Sequence, residues 1–400
     1  MDHDDLIERI LDIARRESAD NLLETSAATL HGELYETASV EFGGWDAALA
    51  AALSEAVSQS RSRSRRSTSR SSGSRSAEED VHREVTEAAS HPLFALTTAG
   101  SFYEVPGPDV PVTDEPVIPP TEHGTGRIER LEYLGEPSGV LVFSERGHYF
   151  GIDARMVPKW DGEMLNRRVQ DVVNLEEGER VVDALPREAF YAGRIIHITR
   201  QAKGKASDIS EISYTLDRQP REAFLLNDGD APVAVLAGPE QNTVFCASAQ
   251  GKAIHFEADE LRSMGLKAVG VNVMKLEDDD DAVVAAFLGA SPLMGGRVEQ
   301  IALITEQGMA KRVDFDEFRT QGRAGAGLQL LRLDKGDRVA AAVACQAGGD
   351  LAVTTSNGRL HRMPATDFAL MGRPAKGNCA LELHDDERVI GLSALPCGSE

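Results

Sequence analysis

Short runs of alternating apolar and polar residues dominate the chain from about residue 92 onward. Strand-like apolar segments also occur, at residues 244–247, 301–304 and 351–354. Each of these segments leads into a turn in which Gln or Asn precedes a glycine (Gly251, Gly308, Gly358), and an alternating apolar and polar run follows the turn. A strand-like segment and an alternating run on the two sides of a glycine turn predict a β-hairpin.

The hairpin recurs with a spacing of roughly 50 residues, the period of a repeat architecture with several strands per unit. The expected turn glycines are Gly100, Gly147, Gly204, Gly251, Gly308 and Gly358. In the last three repeats a second glycine (Gly265, Gly322, Gly372) and a third (Gly270, Gly327, Gly377) keep the same register. An acidic turn followed by small apolar residues, often Val, completes the five repeats from Gly147 onward. Residues 92–400 are therefore predicted to form an all-β six-bladed β-propeller, which residues 389–395 close into a ring.

The first 91 residues follow other patterns. Residues 1–57 have apolar positions at helical spacing, with Leu6, Ile7, Ile10 and Leu11 on one face, and predict a small three-helix domain. Residues 58–80 are rich in Ser and Arg and predict a disordered linker, because they contain too little apolar surface to form a core. Residues 81–91 predict a connecting helix.

The overall charge is strongly acidic, with a formal net charge of −23 in 400 residues. An acidic, Lys-poor surface is typical of a protein that stays soluble in concentrated salt. It disfavours a nucleic-acid partner at low salt, but much less at molar salt, where the Debye length falls to about 3 Å. An ordinary solvated acidic surface would explain the same charge.

The cysteines indicate neither a zinc site nor a disulfide framework, because Cys246, Cys345, Cys379 and Cys397 form no C-x-x-C pair. The acidic start lacks the basic region of a signal peptide, and no apolar run is long enough to span a bilayer. We therefore expect a cytoplasmic protein that needs no metal and no cofactor.

The last three repeats resemble a known family. The segments GKAIHFEADELRSMG (251–265), GMAKRVDFDEFRTQGRAGAG (308–327) and GRLHRMPATDFALMGR (358–373) are similar to the C-terminal DNA-wrapping domain of DNA gyrase A and to its counterpart in topoisomerase IV. The resemblance implies a six-bladed propeller of the pinwheel type, whose basic perimeter bends a segment of duplex DNA.

The chain departs from this family in two ways. The catalytic half with its active-site tyrosine has no counterpart, so we expect no cleavage or rejoining of DNA and no catalytic residue. The wrapping motif Q-R-R-G-G-K-G of the first blade is also missing around residues 124–127. Its best match is the degenerate 321–327 segment of the fifth blade, QGRAGAG, so tight chiral wrapping is not implied.

The candidate DNA-binding residues follow the turn glycines of the last three repeats. Cations would neutralise phosphates, and glycines would let the backbone approach them. No aromatic residue alternates with the cations, so contact with the duplex backbone and bending is the expected mode, without stacking on single-stranded bases. The set comprises Arg262, Lys267, Lys311, Arg312, Arg319, Gln321, Gly322, Arg323, Gly325, Gly327, Arg359, Arg362, Arg373 and Lys376.

The segments before the propeller leave alternatives open. Residues 42–52, FGGWDAALAAA, resemble the small helical repeat associated with homing endonucleases, which implies a DNA-recognition accessory. The acidity of residues 1–57 favours instead a bundle that docks on a protein. The Ser/Arg linker is either a basic clamp on DNA or a spacer.

Two function hypotheses remain from the sequence. The first is a non-catalytic, nucleoid-associated protein that bends or wraps duplex DNA, as an accessory that serves a type II topoisomerase in trans. The second is a protein–protein interaction scaffold built on an acidic propeller. A propeller enzyme is disfavoured, because His148, His197, His255 and His361 follow their turns at varying offsets and read as structural.

Overall fold

The computed structural model describes residues 92–105, 126–135, 137–160, 165–212, 218–291 and 296–395. The predicted three-helix domain (1–57), linker (58–80) and connecting helix (81–91) lie outside these residues and stay predictions. No helix within the described ranges is both long and apolar enough to cross a membrane.

The described residues form six small antiparallel sheets, one for each sequence repeat, and so confirm the six-bladed propeller. The strands of the six sequence repeats, taken in chain order, are β1 (Leu93–Thr97), β2 (Phe102–Val105) and β3 (Ile128–Tyr133); β4 (Gly139–Ser144), β5 (His148–Asp153) and β6 (Val181–Pro186); β7 (Arg194–Thr199), β8 (Lys203–Asp208), β9 (Arg221–Glu222) and β10 (Pro232–Gly238); β11 (Thr243–Ser248), β12 (Lys252–Glu257), β13 (Val271–Asn272) and β14 (Val283–Leu288); β17 (Gln300–Thr305), β18 (Met309–Asp314), β19 (Leu328–Gln329) and β20 (Val339–Cys345); β21 (Asp350–Thr355), β22 (Leu360–Pro364), β23 (Asn378–Cys379) and β24 (Val389–Leu395).

The remaining elements are short. A two-stranded hairpin, β15 (Ala290–Ser291) with β16 (Gly296–Arg297), separates blades 4 and 5. The single α-helix among the described residues is α1 (Val169–Val172). Turns of 3-10 helix follow the second strand of most blades, at Ala154–Met156, Ile209–Glu211, Ala258–Glu260, Phe315–Glu317 and Ala365–Asp367, and one more lies at Arg187–Ala192.

The strand order places the Val-rich strands at the centre. In blade 5 the order from the axis outward is β20, β17, β18 and β23, and blades 2 to 4 repeat it. The innermost strands β10, β14, β20, β24 and β3 follow one another around the axis. Ring closure joins β24 to blade 1, where the Leu131 amide donates to Ser393 Oγ at 2.8 Å and Thr354 Oγ1 donates to the Glu129 carbonyl at 2.7 Å. The expectation that residues 389–395 close the ring is confirmed.

The outermost strand of a blade comes from the next repeat. After its own hairpin, each repeat sends a linker back over the preceding blade: β9, β13, β19 and β23 pair with β5, β8, β12 and β18. This exchange covers the edge strand of the earlier blade. It agrees with the pinwheel arrangement that the resemblance implies.

The turn residue of each hairpin has a positive φ, because the tight turn between two antiparallel strands requires a residue in the left-handed region of φ/ψ space. Gly100, Gly147, Gly251, Gly308 and Gly358 have φ between 73° and 83°. The expectation for blade 3 was wrong: the left-handed residue is Ala202, with φ 56°, and Gly204 lies two residues later inside β8. Gly204 is required for space instead, since a Cβ there would lie 2.2 Å from Val273.

The acidic turns have a structural function that their recurrence did not reveal. One acid near the end of each turn accepts hydrogen bonds from the hairpin of its own blade, as the buried Asp281 does from the Gln250 amide at 3.0 Å. Glu179, Asp230, Asp337 and Glu387 repeat this contact. A carboxylate that is withdrawn from water needs such donors, so one acid per turn stabilises the blade.

Candidate nucleic-acid interface

The outer edge of the ring is built from the linkers that cross between blades. Each crossing is anchored by a buried apolar side chain ten residues after the turn residue: Val157, Ile212, Leu261, Phe318 and Phe368. Phe318 packs edge-on against Phe245 of blade 4, with ring centroids 5.1 Å apart. Burial of a side chain of this size contributes about 1.5–3 kcal/mol, so the linker is held tightly just before its predicted DNA-contacting residues.

The third glycine of each linker is needed by the fold. Gly270, Gly327 and Gly377 have φ between 71° and 96°, and a Cβ on each would lie 2.4–2.7 Å from a carbonyl oxygen of the preceding blade. These glycines therefore let one strand approach another. For Gly327 the approach is to the Ala253 carbonyl of β12, which accounts for this glycine without a phosphate.

Two glycines of the 321–327 segment are not crowded in this way. A Cβ at Gly322 would find nothing closer than Glu260 Oε2 at 4.0 Å, and one at Gly325 nothing closer than 3.5 Å. Gly322 is exposed. The backbone N–H of Gln321 donates to the His255 carbonyl at 2.8 Å, so the backbone of this segment lies directly against blade 4.

The candidate cations Lys311 and Arg312 point into the protein. The Lys311 side chain is fully buried, and its ammonium donates to the carbonyls of Gly372 and Arg373, at 3.0 and 2.6 Å. Burial lowers the pKa of Lys311 to about 8. Arg312 donates to the Phe368 carbonyl at 2.8 Å and to Gln300 Oε1 at 2.6 Å. The sequence groups both with the DNA-contacting cations; the structure engages them instead in holding the blade-6 linker.

Blade 3 contains a third buried cation, which the sequence analysis did not single out. Lys205 occupies the position of Lys311 once the blade-3 turn is placed at Ala202. Its ammonium donates to the carbonyls of Ala223, Gly265 and Leu266 at 3.0–3.1 Å, and burial lowers its pKa to about 8. In the sequence Lys205 stands between two small residues, Gly204 and Ala206. Because the turn was assigned to Gly204 and not to Ala202, the equivalence of Lys205 to Lys311 was not recognised.

The side chain of Arg359 is also buried and paired inside the protein. It donates from Nε to Glu387 Oε1 at 2.8 Å and from Nη2 to the second carboxylate oxygen, and only 8% of its side chain is exposed. Burial alone would raise the pKa of Glu387, but the hydrogen bonds from Arg359 and Thr355 outweigh it and lower that pKa to about 2. This candidate therefore pairs with the buried acid of its own blade.

Arg323 and Arg373 occupy equivalent linker positions and bind equivalent acids. The Arg323 amide donates to Glu260 Oε2 at 3.0 Å, and its guanidinium donates to the carbonyls of Glu260 and Asn272, both at 3.1 Å. The Arg373 amide donates to Glu317 Oε2 at 3.0 Å, and its guanidinium lies over the Phe318 ring, 5.7 Å from the centroid. Both cations are half-buried, and each linker is fastened to the 3-10 turn of the preceding blade.

The other candidates lie nearer the solvent. Arg362 pairs with Asp350 at 2.7 Å, and Lys376 pairs with Asp334. Lys267 is 80% exposed and lies 3.5 Å from Glu222. Arg262 and Arg319 are exposed, directly after the buried anchors Leu261 and Phe318, and their guanidinium groups make no hydrogen bond or ion pair with the described residues.

One exposed cation of this edge was missed. Lys275 donates its amide to the Gly325 carbonyl at 2.9 Å, so its exposed side chain begins beside the 321–327 segment of the next repeat. The two are 50 residues apart in the chain and meet only because the linker crosses blade 4. No local pattern could have placed them together.

Comparison with known proteins agrees with this geometry. Residues 242–288, 299–346 and 349–396 match the family model described as the DNA gyrase C-terminal domain, beta-propeller. These segments are blades 4, 5 and 6. The chain is 28% identical over 262 residues to the DNA gyrase A protein of Aminobacterium colombiense, covering 64% of this chain and 30% of that protein. It is 28% identical over 271 residues to the DNA gyrase A protein of Salmonella typhimurium, covering 66% and 30%.

The fold has solved counterparts. The chain superimposes on a structure of the DNA gyrase A C-terminal domain with a TM-score of 0.63 and 16% identity, covering 76% of this chain and 99% of the other. For the C-terminal domain of DNA topoisomerase IV the TM-score is 0.60 at 20% identity, covering 76% and 92%. The chain spans about 30% of the length of the gyrase proteins that it matches.

Proposed function

We propose that this chain binds duplex DNA along the outer edge of its propeller and bends or wraps it, without cleaving it. The observation that carries the proposal is the exposed cation that follows the buried linker anchor in two successive blades, Arg262 and Arg319, inside segments that match the gyrase C-terminal propeller model. Lys267 and Lys275 add exposed charge to the same edge. In this proposal the propeller serves a type II topoisomerase in trans.

The proposed contact is with phosphates. Exposed Arg and Lys side chains on consecutive linkers form a spaced row, and a row of cations that follows a convex edge favours a bent duplex. Gly322 adds an uncrowded stretch of backbone between two such linkers. Charged contacts of this kind carry no base information, so we expect little dependence on DNA sequence.

The same edge carries acids, which sets the conditions for binding. Glu257, Asp259 and Asp316 are exposed in or beside the 3-10 turns that precede the cations. At low salt they repel the phosphates, and the chain as a whole has a net charge of −23. In concentrated salt this repulsion is screened over a few ångströms, whereas direct ion contacts persist in part. We therefore place the working range of this protein at high ionic strength.

The segments before the propeller extend the proposal. The Ser/Arg stretch 58–80 would give a basic tether on DNA, and residues 1–57 would give a docking or recognition arm. Removal of residues 1–91 then lowers DNA affinity while the propeller retains its effect on DNA topology.

A ligation assay tests the main proposal. Nicked plasmid is incubated with the protein at low and at molar KCl, ligated, and the topoisomers are separated on gels. We expect a protein-dependent shift in linking number that the double variant Arg262→Glu/Arg319→Glu abolishes. The matched control is Arg332→Glu/Lys335→Glu, which changes the net charge equally at exposed positions beside the acidic turn of blade 5.

Two results would overturn DNA wrapping. One is the absence of any shift at both salt concentrations, together with no retardation of linear duplex. The other is an equal loss in the control variant, which would mean that only net charge matters.

A protein scaffold is the second candidate. It is favoured by the contacts of two candidate cations: the Arg323 guanidinium donates to the carbonyls of Glu260 and Asn272, and the Arg373 guanidinium pairs with Glu317 at 3.8 Å. These contacts leave fewer free cations on the edge than the sequence suggests. This candidate predicts retention of a protein from a cell extract by an immobilised propeller that retains no duplex.

A further inference from the structure

A cavity of about 400 Å³ opens at the propeller axis, on the face that carries the hairpin turns. Its lining includes residues from all six repeats, among them Thr98, Arg180, Arg200, Ala249 and Ser356. The volume lies in the range of small-molecule sites. Nothing in the proposed DNA contact uses this face.

Arginines recur at this cavity because of one repeat position. The residue that follows the buried carboxylate of the acidic turn is Arg180 in blade 2, Arg338 in blade 5 and Arg388 in blade 6. The carbonyl of this residue accepts the amide of the first turn residue of its own hairpin, for example from Glu306 to Arg338 at 2.8 Å. The backbone therefore places all three arginines at the same height around the axis.

The charges at the cavity do not cancel. Four arginines and two glutamates, Glu129 and Glu306, are the charged residues of the lining, a formal excess of two positive charges in a strongly acidic chain. Arg388 pairs with Glu306 at 3.1 Å, and Arg180 pairs with Glu145 at 2.8 Å.

The other two arginines have no carboxylate partner among the described residues. Arg338 donates to the carbonyl of Asp280, so its charge is not neutralised there. Arg200 is exposed, and its guanidinium makes no hydrogen bond or ion pair with the described residues. Arg200 and Arg338 are therefore the two arginines of the lining that pair with no carboxylate in the described part of the chain. Glu129 offsets one of their charges, so that with Glu145 counted the net charge at the cavity is one positive.

The surroundings of the cavity select for a compact ligand. Each repeat passes over this face through its acidic turn on the way from the outer edge to the axis, so exposed acids surround the arginines. They include Asp228, Asp278, Asp280, Asp334 and Asp385. A long polyanion would have to lie across these carboxylates, whereas a small anion can enter the positive centre without meeting them.

We propose that the axial cavity binds a small anion with at least two phosphoryl groups, either free pyrophosphate or the terminal phosphates of a nucleotide. Arg200 is the primary contact, since its guanidinium has no partner among the described residues to give up. Arg338 and Arg388 complete a multidentate set of planar donors of the kind that suits phosphate oxygens. This inference does not depend on DNA binding at the outer edge.

Titration calorimetry of the full chain with inorganic pyrophosphate tests the site. We expect saturable binding with one site per chain, weakened about tenfold by Arg200→Ala, the loss expected when one charged hydrogen bond is removed. Arg200→Lys should recover part of the affinity. The control Arg319→Ala removes the same charge from the outer edge and should leave pyrophosphate binding unchanged. Thermal unfolding of Arg200→Ala should match the parent, because the side chain makes no bond with the described residues.

Parallel titrations define the ligand and can reject the proposal. Equal binding of ATP and pyrophosphate would identify the nucleotide phosphates as the target, and weaker binding of ATP would identify free pyrophosphate. Orthophosphate binding as tightly as pyrophosphate would overturn the proposal, as would an equal loss in Arg319→Ala. A short DNA duplex is also tested as a competitor for the site. If the duplex displaces pyrophosphate from the parent protein and binds Arg200→Ala more weakly than the parent, the cavity is a DNA-binding site and the proposal fails.

Discussion

The outer edge and the axial cavity both carry repeated cations, but the fold uses them differently. On the outer edge the cations of β18, Lys311 and Arg312, are buried and bind carbonyls of the next linker. At the axis Arg200 and Arg388 lie at the surface beside a cavity. The adjacent cations that the sequence assigned to DNA contact in β18 are therefore less available to a ligand than the arginines at the axis.

The difference is one of depth. A charged group that is removed from water must find partners in the protein, because an unpaired buried charge costs many kcal/mol. Lys311 donates to two carbonyls, and Arg359 donates to the Glu387 carboxylate. Both side chains therefore stabilise the fold and are not available to a ligand. A cation that stays in water keeps its charge for a ligand, and on the outer edge Arg262, Lys267 and Arg319 meet that condition.

The largest expected effect tests the buried pair. Glu387→Ala leaves Arg359 buried without its carboxylate and should lower the free energy of unfolding by about 3–5 kcal/mol. Urea denaturation measures the change. The control Asp385→Ala removes an exposed acid from the same turn and should change stability by no more than about 0.5 kcal/mol. Similar losses in the two variants would mean that the turn as a whole, and not the pair, stabilises blade 6.

The same pair predicts an acid dependence. The folded-state pKa of Glu387 is lowered from its ordinary 4.5 to about 2, so its contribution is present above pH 4.5 and is lost as the pH falls toward 2. The parent protein should therefore lose more stability than Glu387→Ala over that interval. Urea midpoints at several pH values measure it. Parallel curves for the two proteins would contradict the prediction.

A smaller effect separates structural from DNA-contacting cations. Lys311→Met keeps much of the side-chain volume but leaves the Gly372 and Arg373 carbonyls without their donor, so it should destabilise the fold by about 1–3 kcal/mol. DNA affinity, measured by fluorescence anisotropy well below the unfolding midpoint, should stay unchanged. The exposed Lys335→Met is the control for stability. A clear loss of affinity in Lys311→Met alone would restore it to the DNA-contacting set.

The smallest effect concerns a single exposed cation. Arg319→Ala should leave stability unchanged and weaken duplex binding a few-fold, with the slope of log affinity against log salt reduced by about 0.9, the value expected for one lost phosphate contact. Anisotropy titrations over a series of KCl concentrations give the slope. Arg332→Ala, at an exposed position near the acidic turn, should retain the parent slope; the same reduction there would remove the outer edge from the binding site.

The repeat pattern predicted the number of blades, the hairpins and the strand that closes the ring, because strands, turns and buried faces are local properties that recur with the period. It failed at blade 3, where an alanine takes the left-handed turn position and Gly204 serves close packing. A glycine count cannot separate these two requirements, since both are met by the absence of a Cβ.

The candidate site was predicted only in part. The sequence identified cations at repeat positions, but whether each one is free depends on partners far away in the chain. These partners are the carbonyls of Glu260 and Asn272 for Arg323, and the linker carbonyls for Lys311. The proximity of Lys275 to Gly325 and the cluster of arginines at the axis were not predicted, because the residues come from different repeats.

The amino-acid sequence by itself determined the period, the alternation of faces and the acidic turns, since these depend on neighbouring residues and on the burial of one side of each strand. The tertiary structure alone decided which charges reach the solvent. Linkers that cross between blades bury some cations against carbonyls and leave others at the rim, and the closed ring brings arginines from four repeats around one cavity. Burial and pairing are properties of the assembled ring, and for a charged residue they determine whether it holds the fold or is free to bind.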